Sequence, residues 1–170
     1  MRSQVFFFFA ILFLVSACSS PKTEVVINPT ANYSIEKQDG WLSQVEGPIT
    51  RFLKPSSTVE TQTGIVMVTT VDGMFDNLED NFKYELSFLP QGLNEFKKLD
   101  EGTVTIDNKP ARWVRISDFR KDTEFITVMY VQQAEGTKCI AFNCSAPKES
   151  FPEFEEEMKK IVLSFKKTKK

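Results

Sequence analysis

Apolar residues recur with helical spacing in two stretches. Over residues 76–89 they fall at Leu78, Phe82, Leu86 and Leu89, on one stripe. Asp76 and Glu79 open that stretch as a D-x-x-E capping pattern, and Pro90 is expected to close it. Over residues 150–165 the stripe is Phe154, Met158, Ile161, Val162 and Phe165. Ser150 and Glu153 form an S-x-x-E capping box there, with Pro152 in the first turn, where a missing N–H costs little. Glutamates crowd the first half of this stretch and lysines the second, the order a helix dipole favours.

The other segments carry strand signals, at about 33–37, 41–46, 49–54, 63–71, 102–107, 110–119, 123–133 and 137–145. Gly47-Pro48, Asp107-Asn108 and Glu135-Gly136 mark turns. Parity along the strands is informative. Phe125, Met129 and Val131 point one way, and Ile126, Val128 and Tyr130 the other. Ile65, Met67 and Val71 oppose Val66 and Val68; Cys139 and Ala141 oppose Ile140, Phe142 and Cys144. A strand that is apolar on both faces is covered on both faces. The expectation is a three-layer α/β/α sandwich around a mainly antiparallel sheet.

The amino terminus has a different pattern. Met1-Arg2 precedes an apolar run over residues 5–15 (VFFFFAILFLV). At ~1.5 Å per residue that helix falls short of a ~30 Å hydrocarbon core. It suits a signal-peptide core. Val15-Ser16-Ala17-Cys18 follows and resembles the lipobox of bacterial lipoproteins. The resemblance implies cleavage between Ala17 and Cys18 and acylation of Cys18. Ser19 stands after the cysteine where Asp would retain a lipoprotein in the inner membrane. That implies an outer-membrane protein facing the periplasm. Residues 1–17 are thus the signal peptide and 18–32, with two prolines, a lipidated start and flexible tether. Residues 33–167 are the domain and 168–170 the end of a basic tail. The terminal lysines, Lys166, Lys167, Lys169 and Lys170, are expected to be a frayed, solvated helix end.

Several small signatures resemble the PsbP/Mog1-like domains. Tyr33-Ser34-Ile35 followed by Gly40-Trp41 is similar to their opening, and the strand, the helix near Pro90 and the stretch from Leu99 to Ile106 follow in their order. The hairpin Ile106-Asp107-Asn108-Lys109-Pro110-Ala111 and the closing Leu163-Ser164-Phe165-Lys166 continue it. Asn108 stands where that hairpin usually has Gly, and Asn tolerates the left-handed conformation. The resemblance implies an α/β/α sandwich and work as an assembly factor or protein binder rather than an enzyme.

Composition narrows the chemistry. There is no histidine, which excludes Ser-His-Asp and Cys-His catalysis and every His-ligated metal. A net charge of −2 gives no case for nucleic acid. Cys139 and Cys144 lie five apart on one strand, on opposite faces and too distant for a disulfide, so they are expected to be buried and reduced. Asp72, Asp76, Asn77, Asp80 and Asn81 lack calcium-loop spacing and suit helix capping. Asp118, Arg120, Lys121, Asp122 and Glu124 read as a solvated, salt-bridged hairpin tip. Trp41, Trp113 and Tyr130 are aromatics of the kind that anchor partners, and are expected in the core. No cofactor motif is present. The functional expectation is a non-catalytic, lipid-anchored envelope module that binds or assembles a protein partner. The alternative is a carrier of a small ligand or lipid, with a pocket between helix and sheet.

Overall fold

The computed structural model describes residues 23–58 and 62–168; Ala17 and Cys18 lie outside them. In chain order the elements are β1 (Glu24–Asn28), β2 (Tyr33–Lys37), β3 (Leu42–Glu46), β4 (Ile49–Pro55), β5 (Thr63–Asp72) and α1 (Leu78–Gly92). There follow β6 (Asn94–Ile106), β7 (Lys109–Arg120), β8 (Thr123–Gln133), β9 (Lys138–Pro147), α2 (Phe151–Leu163) and β10 (Lys166–Lys167). Seven strands form one antiparallel sheet in the order β3-β4-β5-β9-β8-β7-β6, and β1-β2-β10 form a second, small one.

Strand parity divides the core as the sequence predicts. On one face Val66, Val68, Val128, Tyr130, Ile140, Phe142 and Cys144 pack against Phe154, Met158, Ile161 and Val162 of α2 and against Val26, Tyr33 and Ile35 of the small sheet. On the other, Val114, Ile116, Met129, Val131 and Cys139 pack against Phe82, with Leu78, Leu86 and Leu89 beside it. The three-layer sandwich is therefore present, and its sheet is wholly antiparallel. The β6–β7 turn places Asp107 at φ 46° and Asn108 at φ 60°, the pair of left-handed residues a two-residue hairpin needs.

Six local expectations are corrected. Residues 24–28, assigned to the tether, form β1 against β2: Val26 turns inward, and Asn28 is buried, donating to Thr50 Oγ1 at 3.1 Å and Tyr33 Oη at 3.4 Å. Helix α1 starts later, because Asn77 rather than Asp76 caps it by accepting from the Asp80 N–H at 2.9 Å. It also runs two residues past Pro90, which sits in its last turn. The α2 capping box does not form. Ser150 makes no side-chain cap, and Glu153 reaches instead to Ser56, Ser57 and Thr58. Strand β6 begins at Asn94, not near 102; its first half is a charged, bulged edge, which hides the alternation. The helix α2 ends at Leu163, and Lys166 and Lys167 pair with Ser34 and Tyr33 as β10. Asp107 holds that strand, accepting from the Lys167 N–H at 3.0 Å and pairing with Lys166.

Candidate functional site

Exposed aromatic surface is concentrated beside α1. Phe88 is 47% and Phe75 41% exposed, with Met74 at 63%. Tyr84 and Phe88 stand one turn apart, off the buried stripe, with ring centroids 4.7 Å apart and edge to face. Phe75, in the β5–α1 loop, meets Tyr84 edge-on at 6.1 Å. The loop is built to present it. Buried Asn81 accepts from the Phe75 N–H at 3.0 Å and donates to the Phe75 carbonyl at 2.6 Å and to Gln133 Oε1 at 3.0 Å. Gly73 donates to the Thr137 carbonyl at 3.0 Å, and a Cβ there would lie 2.4 Å from Asn81 Oδ1. A side chain at position 73 would therefore break the clamp that orders Phe75. Asp72, Asp76, Asp80 and Glu85 flank the cluster in sequence, and none forms an ion pair among the described residues.

The sequence singled out other aromatics. Trp41 is buried, and its indole donates to Glu157 Oε2 at 2.7 Å. Trp113 and Tyr130 face each other across β7 and β8 under α2. The signal that finds the exposed cluster is phase: Tyr84 and Phe88 fall off the Leu78–Phe82–Leu86–Leu89 stripe of their own helix.

The titratable groups are occupied structurally. Cys139 and Cys144 are free and buried in the two separate cores. Burial raises both thiols, Cys139 with added repulsion from Glu85. Neither has an activated setting. Asp118 is buried rather than solvated, which corrects the hairpin-tip expectation. Arg120 grips it with Nε at 2.7 Å and Nη2 at 3.1 Å, and extends to Thr127 Oγ1 and Ser145 Oγ while covering the Phe125 ring. Among the described residues no group of Cys, Asp and Glu is placed to hold a metal, and no helix is long and apolar enough to cross a membrane.

Clefts lie elsewhere among the described residues. An open one of about 840 Å³ lies at the end of the sheet where β5 finishes, lined by Asp72, Glu135, Lys138 and Lys167 among others. Its charges are mixed, and Lys167 already donates to the Ala31 carbonyl at 2.9 Å. A smaller one of about 200 Å³ lies between α2 and β6–β8.

No family model and no curated protein sequence matches the chain. Solved structures do. Mog1p, a Ran-binding protein of Saccharomyces cerevisiae, superposes with a TM-score of 0.61 at 9% identity, over 87% of this chain and 96% of that one. PsbP of the cyanobacterium Synechocystis gives 0.59 at 12% identity, over 91% and 98%. The fold is that of PsbP and Mog1p. LpqN of Mycobacterium tuberculosis, described as involved in cell envelope biogenesis, shares it with a TM-score of 0.59 at 12% identity, over 91% of this chain and 88% of LpqN. At these identities the likeness concerns fold alone, so within the PsbP/Mog1 fold the function of this chain rests on its own residues.

Proposed function

We propose that the chain is a lipid-anchored cell-envelope protein, acylated at Cys18, that works as a non-catalytic docking module for a protein partner. The observation that carries the docking role is the pre-ordered cluster of Met74, Phe75, Tyr84 and Phe88. Exposed aromatic side chains supply contact area at little entropic cost, and Asn81 has already fixed the loop that bears Met74 and Phe75. The unpaired carboxylates nearby suit a partner with basic residues around an apolar centre. Mog1p is described as Ran-binding, which supports a binding role on this fold, and LpqN as involved in cell envelope biogenesis, which supports an envelope setting.

The anchor rests on the sequence of residues 1–18. From Cys18 the chain reaches Thr23 over at most about 18 Å, so the Thr23 end of the domain would sit close to the lipid surface. Thr23 neighbours Lys37 and Trp41, and Trp41 shares Glu157 with Lys54, whose strand pairs with the start of β5. Met74 and Phe75 follow the opposite end of β5, roughly 30 Å along that strand. The loop half of the cluster would then face away from the bilayer. Anchoring adds effective concentration, so a weak contact suffices.

Crosslinking in the intact envelope, with the full chain as bait, tests both parts. A defined partner is expected, with recovery falling sharply for Cys18→Ala produced at equal level in the same compartment. Equal recovery from the two forms would remove the anchor from the account. Recovery that survives Phe75→Asp with Phe88→Asp would remove the docking cluster.

A further inference from the structure

On the face of the sheet opposite the docking cluster, the cleft under α2 has features that packing alone does not require. One wall is the stripe Glu155, Lys159 and Leu163, each one turn from the next along α2. The floor is Val104 of β6, Trp113 and Arg115 of β7, and Val128 and Tyr130 of β8. Gly102 is the residue in β6 that lets Trp113 lie flat: a Cβ there would stand 2.9 Å from the indole Nε1. The volume of about 200 Å³ equals the space of about seven water molecules.

Several donors of the lining have no acceptor among the described residues. Tyr130 is only 8% exposed, yet its hydroxyl has no hydrogen-bond partner among the described residues. Arg115 Nε is buried and unpartnered as well, although the far end of that guanidinium pairs with Glu155 and the side chain lies over Phe151. The Trp113 indole N–H has no acceptor among the described residues, whereas that of Trp41 has one. Lys159 forms no ion pair among the described residues. Buried polar groups in folded proteins are satisfied in the great majority of cases. Of these donors Arg115 Nε is the buried one; the Tyr130 hydroxyl, the Trp113 indole N–H and the Lys159 ammonium keep contact with solvent, where an acceptor from outside the chain can reach them.

We infer that this cleft binds a small monocarboxylate with a short aliphatic body, its carboxylate held by Tyr130, Arg115 and Lys159 and its apolar part lying on Val104, Trp113, Val128 and Leu163. The charge selects the class. Arg115, Lys159 and Glu155, the charged groups of the lining, sum to one positive charge, which matches a singly charged anion. The hydroxyl of Tyr130 stays protonated, since burial raises its pKa first of all, and a protonated hydroxyl is a donor. The site is independent of the docking cluster, and either assignment stands without the other.

Hexanoate is the probe, with hexanol and hexylammonium as controls, titrated into the full mature chain in lipid nanodiscs carrying 15N-labelled tryptophan. The two indole N–H signals act as internal reporter and reference, assigned with Trp113→Phe. Hexanoate is expected to move the Trp113 signal saturably at millimolar concentration or below and to leave Trp41 unmoved. Neither control should do so. Tyr130→Phe keeps the ring and should weaken hexanoate about tenfold, the loss of one hydrogen bond to a charged group. Lys159→Gln, on the exposed side of α2, cannot unfold the core and should weaken it several-fold. No saturable shift, an equal shift with hexanol, or unchanged affinity in both variants overturns the inference.

Discussion

Ser57 gives both its backbone N–H and its hydroxyl to one carboxylate oxygen of Glu153, each at 2.8 Å. The other oxygen takes the hydroxyls of Ser56 at 2.7 Å and Thr58 at 2.9 Å. The first turn of α2 is thus tied to the chain that leaves β4. These bonds, that from Ser56 foremost, hold the Glu153 carboxyl at about 2, against an ordinary 4.5.

The tie makes a pH prediction. A carboxyl whose folded pKa is depressed stabilises the fold fully above its unfolded value and loses that contribution as pH falls toward the folded one. Denaturant unfolding of wild type and Glu153→Gln should therefore differ most above pH ~4.5 and converge near pH 2. A gap that stays constant between those limits would show that Glu153 is not held this way.

Gly64 lies beneath the ring of Phe154, and a Cβ there would stand 2.7 Å from that ring. Phe154 is fully buried and has no room to retreat. Gly64→Ala should cost about 1–3 kcal/mol by overpacking. In a Phe154→Leu background the added cost should shrink, because the two changes share one space. Thermal unfolding of the four proteins gives the cycle; additive costs would contradict the packing described.

The Asp118–Arg120 pair is asymmetric, since Asp118 is fully buried while the Arg120 side chain is 41% exposed. Arg120→Ala strands a buried charge and should cost about 2–3 kcal/mol, a value discounted for the exposed partner. Replacing both residues by Leu should cost less than the single change. A single-mutant cost below about 0.5 kcal/mol would place the pair with surface ion pairs.

With Cys18 replaced by Ser, the chain retains Cys139 and Cys144, both free. Denatured without prior reduction, it should take two equivalents of thiol reagent, and the native protein far fewer. An intramolecular disulfide would require a different β9, because here the two side chains enter opposite cores.

The two-faced sheet was legible because strand parity is strict. Val128 and Met129 are neighbours in sequence yet belong to different cores, and alternation alone separates them. Strand β1 was not legible. Val25-Val26-Ile27 is a short apolar run between prolines; only Val26 turns inward, while Val25 and Ile27 stay exposed. Its best-buried residue is polar Asn28, whose partners Thr50 and Tyr33 are distant in sequence or in another strand. Glu153 misled for a related reason. The S-x-x-E spacing is a local signal, and three hydroxyls almost a hundred residues earlier outcompete it. In the candidate site, residue type drew attention to Trp41, which the core consumes. The phase of Tyr84 and Phe88 relative to their helix carried the information instead.

Site-specific photocrosslinking tests the docking account most directly. A photoreactive phenylalanine analogue is placed at Phe88 or Phe75 of the full, anchored chain, and at exposed Lys160 of α2 as a control. Illumination in the intact envelope should yield one adduct of defined mass from positions 88 and 75 and none from 160. No adduct from 88 and 75, or the same adduct from 160, would contradict a partner seated on the α1 cluster.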